Sequence, residues 1–233
     1  MNKFLRFTVS WVKYLVRPFF PVKFFGDSKI PTKKLLLMGN HLSAMDPVVQ
    51  ALYTKEVPSY VYKSELAKSK FLKWIFDGLD LIPVNRGESD LHATRQIMRR
   101  LKDNRVVGIF PEGTRNLDVD CLQEFKHGTV LFAIKTKAPI KPFYIWDRYR
   151  IFVRNYVIYG EEFDLSDFYD KPITKELIAE ASKFIWGKID ALRIQLNEIL
   201  QQKGIKRRPR TKKEIAKLNQ HLQKQAEQSQ EGE

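Results

Sequence analysis

Residues 34–53 read KLLLMGNHLSAMDPVVQALY, and residues 106–115 read VVGIFPEGTR. In each, a short apolar run stops at a turn containing glycine, asparagine or proline, which is the pattern of a buried strand running into a polar loop. The first stretch then resumes from Pro47 with helical spacing. Working outward, residues 59–63 and 81–84 have strand character, and residues 64–76 read as a helix. Ser89 is placed to cap a helix reaching about residue 103, with Leu91, Met98 and Leu101 on one face. Residues 126–137 return to helix, 140–145 to strand, and 151–159 to a longer strand of mixed alternation. The clearest helix covers residues 174–201, where apolar side chains recur at Leu177, Ile178, Ala181, Phe184, Ile185, Ile189, Leu192, Leu196 and Ile199. Alternating strand and helix predict an α/β domain with a mainly parallel central sheet flanked by helices.

The chain has 233 residues, of which 43% are hydrophobic and 29% charged, with mean hydropathy −0.38. This supports one sizeable core and excludes a wholly disordered chain. No apolar run approaches the roughly 18–20 residues of a spanning helix, which excludes a polytopic membrane protein. Cys121 is the only cysteine, so neither an intrachain disulfide nor a cysteine-based zinc site can form, and a reducing cytoplasmic location fits. The net charge of +14 is confined to the ends. Residues 1–34 carry eight Lys/Arg against Asp27, and residues 203–217 carry eight more against Glu214. A nearly neutral body with two basic ends points to a polyanionic surface, either membrane or nucleic acid.

The amino-terminal segment favours membrane. Arg6, Ser10, Lys13 and Arg17 form one polar stripe on a helix, and Phe4, Leu5, Phe7, Val9, Trp11, Val12, Tyr14, Leu15 and Val16 fill the remaining arc before Pro18. Such a helix lies in a bilayer interface, where each buried large apolar side chain contributes roughly 1.5–3 kcal/mol and each nearby cation about 1 kcal/mol against anionic lipid. The plainer alternative is a helix covering the core. Charges at positions 6, 13 and 17 break any signal-peptide apolar region, and no small-residue cleavage site follows. We divide the chain into an amphipathic membrane-associating segment (1–25), an α/β domain (26–202) and a basic, largely flexible tail (203–233), in which Thr211 and Glu214 form a capping box.

Chemistry is concentrated at strand ends. His41 and Asp46 lie across a strand-to-helix turn, where the carboxylate can accept a proton from one imidazole nitrogen and leave the other as a base. By spacing alone, Asp46 can equally be a helix cap beside Pro47, with His41 a plain loop residue. Glu112, Gly113, Thr114 and Arg115 follow the strongest strand, where open α/β sheets place ligands. The glycine permits close approach and the arginine can bind a phosphate through two hydrogen bonds, although a polar turn with a Glu–Arg pair reads the same way. Arg86 and Lys63 occupy equivalent strand ends, and the recurrence of cations beside a candidate base suggests an anionic substrate. There is no Gly-x-Ser-x-Gly elbow, Walker A loop or dinucleotide fingerprint, and the four histidines lack metal-ligand spacing.

Taken in order, NHLSAMD (40–46), LIPVNRG (81–87), FPEGTR (110–115) and APIKPF (138–143) resemble the four blocks of the glycerolipid acyltransferase family, and within it the bacterial 1-acyl-sn-glycerol-3-phosphate acyltransferases. The resemblance covers residues 20–160. It implies that His41 deprotonates an acceptor hydroxyl while Asp46 orients it, and that the oxygen attacks an acyl thioester without a covalent acyl-enzyme. It further implies that Arg86, Glu112, Gly113, Thr114 and Arg115, with Lys63 a weaker candidate, bind the glycerol phosphate. Pro139 and its neighbours would shape the site. Two departures touch substrate choice: Asn116 stands where many members have serine, and His127 interrupts a usually more basic stretch.

The expectation is an enzyme making phosphatidic acid from lysophosphatidic acid and acyl-CoA or acyl-ACP, with no cofactor and no metal. Its expected partners are the acyl donor, possibly acyl carrier protein, and the anionic cytoplasmic face of the cell membrane, where it would be peripheral or monotopic. Another lysophospholipid or glycerol-3-phosphate is the alternative acceptor. Nucleic-acid binding is not expected, because the tail KGIKRRPRTKKEIAK offers no aromatic residue for base stacking.

Overall fold

The computed structural model describes residues 11–55, 57–85, 90–126, 128–212, 214–216, 218–220 and 222–223. Seven strands form one sheet: β1 (Val22–Gly26), β2 (Leu35–Gly39), β3 (Ser59–Lys63), β4 (Ile82–Val84), β5 (Val106–Ile109), β6 (Ile140–Ile145) and β7 (Asn155–Tyr159). Their order is β1-β7-β6-β2-β5-β3-β4, and every neighbouring pair is parallel except β6 with β7. All residues of β2 and β6 are buried; β2 is the continuous apolar run expected of a parallel strand covered on both faces, and the buried Lys141 of β6 pairs with Asp27 at 2.9 Å. Helices α3 (Leu91–Lys102), α4 (Gly128–Thr136) and α5 (Lys175–Gln202) pack on one face, burying Ile97, Leu101, Val130, Ile134, Ile185 and Ile189. The opposite face carries Val49 of α1 (Asp46–Tyr53) with Leu37, Tyr60, Phe143 and Tyr159.

Register sets the site. Met38 of β2 lies opposite both Ile109, the last residue of β5, and Pro142 of β6, so β2 and β5 end within one residue of each other while β6 runs on to Ile145. The loops 40–45 and 110–126 therefore leave the sheet side by side at its carboxyl edge. Because β7 runs against β6, its first residue Asn155 and the paired Val22 of β1 also lie at that edge.

Several expectations are corrected. The helix expected over 64–76 is a 3-10 turn (Ser64–Leu66) followed by α2 (Lys70–Gly78), because Ser69 accepts a hydrogen bond from the Leu72 amide and restarts the helix there. The cap of α3 is Asp90, whose carboxylate accepts from Ala93 N–H. That register buries Ala93, Ile97 and Leu101 and leaves Leu91 63% exposed. The strand expected over 151–159 begins only at Asn155, since Phe152 has φ 60° and Arg150 bridges Val153 in a turn. Strand β1 was not anticipated. It joins residues 22–26 to the sheet edge beside β7.

The first ten residues lie outside the described ones. Residues 11–16 are helical, and the cationic stripe there faces the protein. Lys13 Nζ donates to Thr54 O at 3.0 Å and Arg17 Nε to Leu52 O at 2.8 Å. Both cations sit at the carboxyl end of α1, where the helix dipole and unpaired carbonyls favour positive charge. The apolar arc points outward, with Trp11, Tyr14 and Leu15 at 63%, 69% and 70% exposure. Among the described residues no helix is long and apolar enough to cross a membrane.

Gly39 is where the sheet hands over to the site. A Cβ there would stand 2.5 Å from the fully buried ring of Phe143, whereas Gly187, inside α5, meets nothing within 4 Å. We expect Gly39→Ala to destabilise the protein by about 1–3 kcal/mol in urea denaturation, and Gly187→Ala to stabilise it by up to about 1 kcal/mol.

Candidate active site

The turn after β2 wraps around one carboxylate. Asp46 is fully buried, and its Oδ2 accepts from His41 Nδ1 at 2.8 Å, Leu42 N–H at 2.7 Å and Ser43 N–H at 2.8 Å. Burial pushes the Asp46 carboxyl up from its ordinary value, while the imidazole and the two amides favour its charged form. Asp46 does open α1, with Pro47 behind it, but its side chain bonds upstream and not to the first turn of that helix. The carboxylate requires a proton on Nδ1 of His41, which leaves the Nε2 lone pair as the basic position. The His41 side chain is 15% exposed. Its ring stacks on Phe110 at 4.3 Å, which limits rotation of the imidazole.

The main chain of His41 is held on both sides by the loop after β5. Glu112 Oε1 accepts from His41 N–H at 2.9 Å, and Asn116 N–H donates to His41 O at 2.6 Å. Glu112 is almost wholly buried and also accepts from Gln123 N–H at 3.3 Å. Buried Asn116 donates through Nδ2 to Cys121 O and accepts at Oδ1 from Asp118 N–H, so its side chain closes the loop on itself. Asn40 ties β2 to β6 by exchanging two hydrogen bonds with the main chain of Ile145. Asn40, Phe110 and Asn116 were not singled out as site residues from sequence. The clue available was that each lies inside or next to a motif at a strand end.

Among the other predicted residues, Gly113 has φ 69°, a conformation that favours glycine. A Cβ there would also crowd Lys126 at 2.9 Å. Thr114 is exposed and donates to Gln123 Oε1 at 3.1 Å. Arg115 is exposed at the same turn. Lys63 ends β3 and pairs with Glu65 at 3.0 Å, which places it at the same sheet edge without joining the His41 cluster. Arg86 lies outside the described residues. So does His127. Burial and Asp118 push the Cys121 thiol up, which disfavours the nucleophilic thiolate.

A buried carboxylate–imidazole pair at the carboxyl edge of a mostly parallel sheet, beside a loop carrying Gly113 and Arg115, brings together the groups that proton transfer on an anionic molecule would require. Residues 21–146, more than half of the chain, match the family described as Acyltransferase, and the chain belongs to that family. It is 32% identical over 136 residues to the 1-acyl-sn-glycerol-3-phosphate acyltransferase of Borreliella burgdorferi, covering 57% of this chain and 54% of that protein. A protein of the same name from Bacillus subtilis is 32% identical over 83 residues, 36% of this chain and 40% of its own length. The chain thus spans about half or less of the length of these curated relatives. The crystal structure of the 1-acyl-sn-glycerophosphate (LPA) acyltransferase PlsC from Thermotoga maritima superposes with a TM-score of 0.63 at 22% identity, over 82% of this chain and 80% of that one. That likeness establishes the α/β fold with its mostly parallel sheet.

Burial pushes Glu112 from an ordinary value of 4.5 up to about 7, against the amides of His41 and Gln123, which pull it down. A raised folded value means that protonation favours the fold, so the contribution is complete below about pH 4.5 and disappears as pH rises through 7. Glu112→Gln keeps an oxygen acceptor for His41 N–H without that penalty. The stability of Glu112→Gln relative to wild type should therefore rise by up to about 3 kcal/mol between pH 4.5 and pH 8, measured by urea denaturation across that range.

Proposed function

We propose that this chain is a 1-acyl-sn-glycerol-3-phosphate O-acyltransferase, which moves an acyl group from a thioester to the free hydroxyl of lysophosphatidic acid and yields phosphatidic acid for phospholipid biosynthesis. The observation that carries this reading is the His41–Asp46 pair, with Nδ1 committed to a buried carboxylate and Nε2 left as the base. In the proposed reaction the acceptor O–H gives its proton to His41 Nε2 as the oxygen attacks the thioester carbonyl. The C–S bond then breaks, and the departing thiolate takes the proton from the imidazolium. Buried Asp46 stabilises that imidazolium and holds the ring in its tautomer. The donor is acyl-CoA or acyl-ACP.

We assign the acceptor's phosphate to Arg115, with Arg86 and Lys63 as further cations at neighbouring strand ends. Arginine suits phosphate because its fork makes two hydrogen bonds at once. Gly113 lets the main chain turn sharply there, Thr114 braces the turn through Gln123, and Glu112 acts through the main chain of His41.

A lipid acceptor must be met at a bilayer, and the exposed apolar side chains support an edge-on approach. Phe19 precedes β1, while Ile151 and Phe152 precede β7, and the rings of Phe19 and Phe152 lie 5.1 Å apart. Leu66, Phe71 and Trp74 follow β3. All of these segments enter or leave the sheet at the edge that carries His41. The outward arc of Trp11, Tyr14 and Leu15 leads into the same edge. We therefore place the protein peripherally on the cytoplasmic face of the membrane, with the carboxyl edge of the sheet against lipid.

Phosphatidate formation from lysophosphatidic acid and a long-chain acyl thioester tests the reaction. We expect wild type to be active and His41→Ala to lose about 10²–10⁴-fold in kcat, with circular dichroism unchanged. An inactive wild type with either donor would remove the acceptor assignment. Full activity of the variant would remove the mechanism. For the membrane reading, flotation with vesicles containing anionic lipid should retain wild type and release the double variant Leu15→Glu, Phe152→Glu; equal flotation of the two would refute the edge-on placement.

A further inference from the structure

We propose that the carboxy-terminal basic segment, residues 205–212 with Glu214, is a clamp on the loop that holds the candidate base, with Arg207 and Arg210 as positioning residues. The inner side of that loop is bonded to both the N–H and the C=O of His41, through Glu112 and Asn116. Its outer side is bonded to the tail. Arg207 pairs with Asp120 and donates to Tyr144 Oη at 3.2 Å, with its guanidinium 5.2 Å above the Trp146 ring. Arg210 reaches Asp118 at 2.7 Å and Asp120 at 2.9 Å. Asp118 is in turn bonded through its N–H to buried Asn116, whose own N–H holds His41 O. One continuous path of hydrogen bonds therefore leads from the tail to the base.

The tail is itself fastened. Thr211 and Glu214 form the capping box read from the sequence, with Thr211 N–H on Glu214 Oε2 at 2.8 Å and Glu214 N–H on Thr211 Oγ1 at 3.3 Å. Glu214 also faces Arg150 at 3.2 Å and Arg148 at 3.6 Å. Arg148 reaches back to the loop by donating to Leu117 O at 2.8 Å. A cleft of about 200 Å³ lies between tail and loop, and Arg148, Arg150, Arg207, Arg208 and Arg210 line it. It does not read as a bare anion site, because Asp118, Asp120 and Glu214 already pair with four of these five arginines.

Single ion pairs of this exposure stabilise a fold little, so the effect of the network is on the position of the loop and, through it, on rate. Displacing a reacting group by about 1 Å costs on the order of 10²-fold. The activity arm of the test rests on the acyl transfer proposed above; the structural arm does not. In the full chain, the double variant Arg207→Gln, Arg210→Gln should speed amide hydrogen exchange across residues 116–123 while leaving the strands protected. Its kcat should fall by about tenfold or more, with KM for lysophosphatidic acid within about twofold of wild type. Asp120→Asn should lower kcat in the same way, add little to the double variant, and be relieved by Asp120→Glu. Unchanged exchange in the loop would overturn the clamp. Faster exchange with unchanged kcat would overturn the positioning role. Loss of vesicle flotation, with loop exchange and turnover of a dispersed short-chain acceptor both unchanged, would make the tail a lipid contact and also overturn it. Should wild type fail to acylate lysophosphatidic acid, the exchange result still decides the clamp.

Discussion

Asp46 is a carboxylate without solvent exposure, and the turn after β2 sets donors around one of its oxygens against the burial that pushes the group up. An ion taken out of water costs several kcal/mol unless hydrogen bonds replace its hydration. Here two consecutive amides and one imidazole converge on a single oxygen. The amides are available because residues 40–45 curl back before α1 begins, and the imidazole because His41 lies at the start of that curl. Stabilising the charge and orienting the histidine are thus one interaction. The orientation of the His41 imidazole follows from the solvation of a single side chain.

That turn can form only where the sheet delivers it. Strand β2 lies between β5 and β6; the register ends β2 and β5 almost together and lets β6 run on to Ile145, beside Asn40. Glu112 meets His41 across 71 residues of sequence, and Ile145 meets Asn40 across 105. Gly39 permits the approach, since the ring of Phe143 occupies the space a side chain would need. Covering β2 on both faces leaves its end as the one place where polar groups can emerge. The wholly buried strands and the polar site at their tips are two consequences of one architecture.

What could be read from the chain follows from range. The strands at 59–63 and 140–145 are visible because short stretches rich in aromatic and β-branched residues read as strand, and both occur at the expected bounds. His41 and Asp46 are legible as a pair because they are five residues apart on one turn. Asn116 was legible only as a departure from a family pattern. Its role depends on a main-chain bond to His41 and a side chain folded onto Cys121, and no periodicity reports such contacts. Strand β1 was hidden for a related reason. VKFFG mixes charge and aromatics as an edge strand does, and its pairing with β7 is more than a hundred residues away in sequence.

Charge shows the same distinction more sharply. Summed over segments, the two ends hold all the excess of positive charge, and summation treats every cation as available to a partner. In the folded chain Lys13 and Arg17 are taken by the carbonyls ending α1. Arg207 and Arg210 are taken by Asp118 and Asp120. Lys203, Lys206, Arg208 and Lys212 remain exposed. The amino-terminal cations, once turned inward, force Trp11, Tyr14 and Leu15 outward, because a helix cannot present both faces to the same neighbour. The tail's acidic partners lie on the loop that grips His41. Each basic end therefore acts first on the protein's own structure, one by exposing an apolar surface and the other by bonding to the loop beside His41. Attraction to an anionic surface is left to the charges that remain.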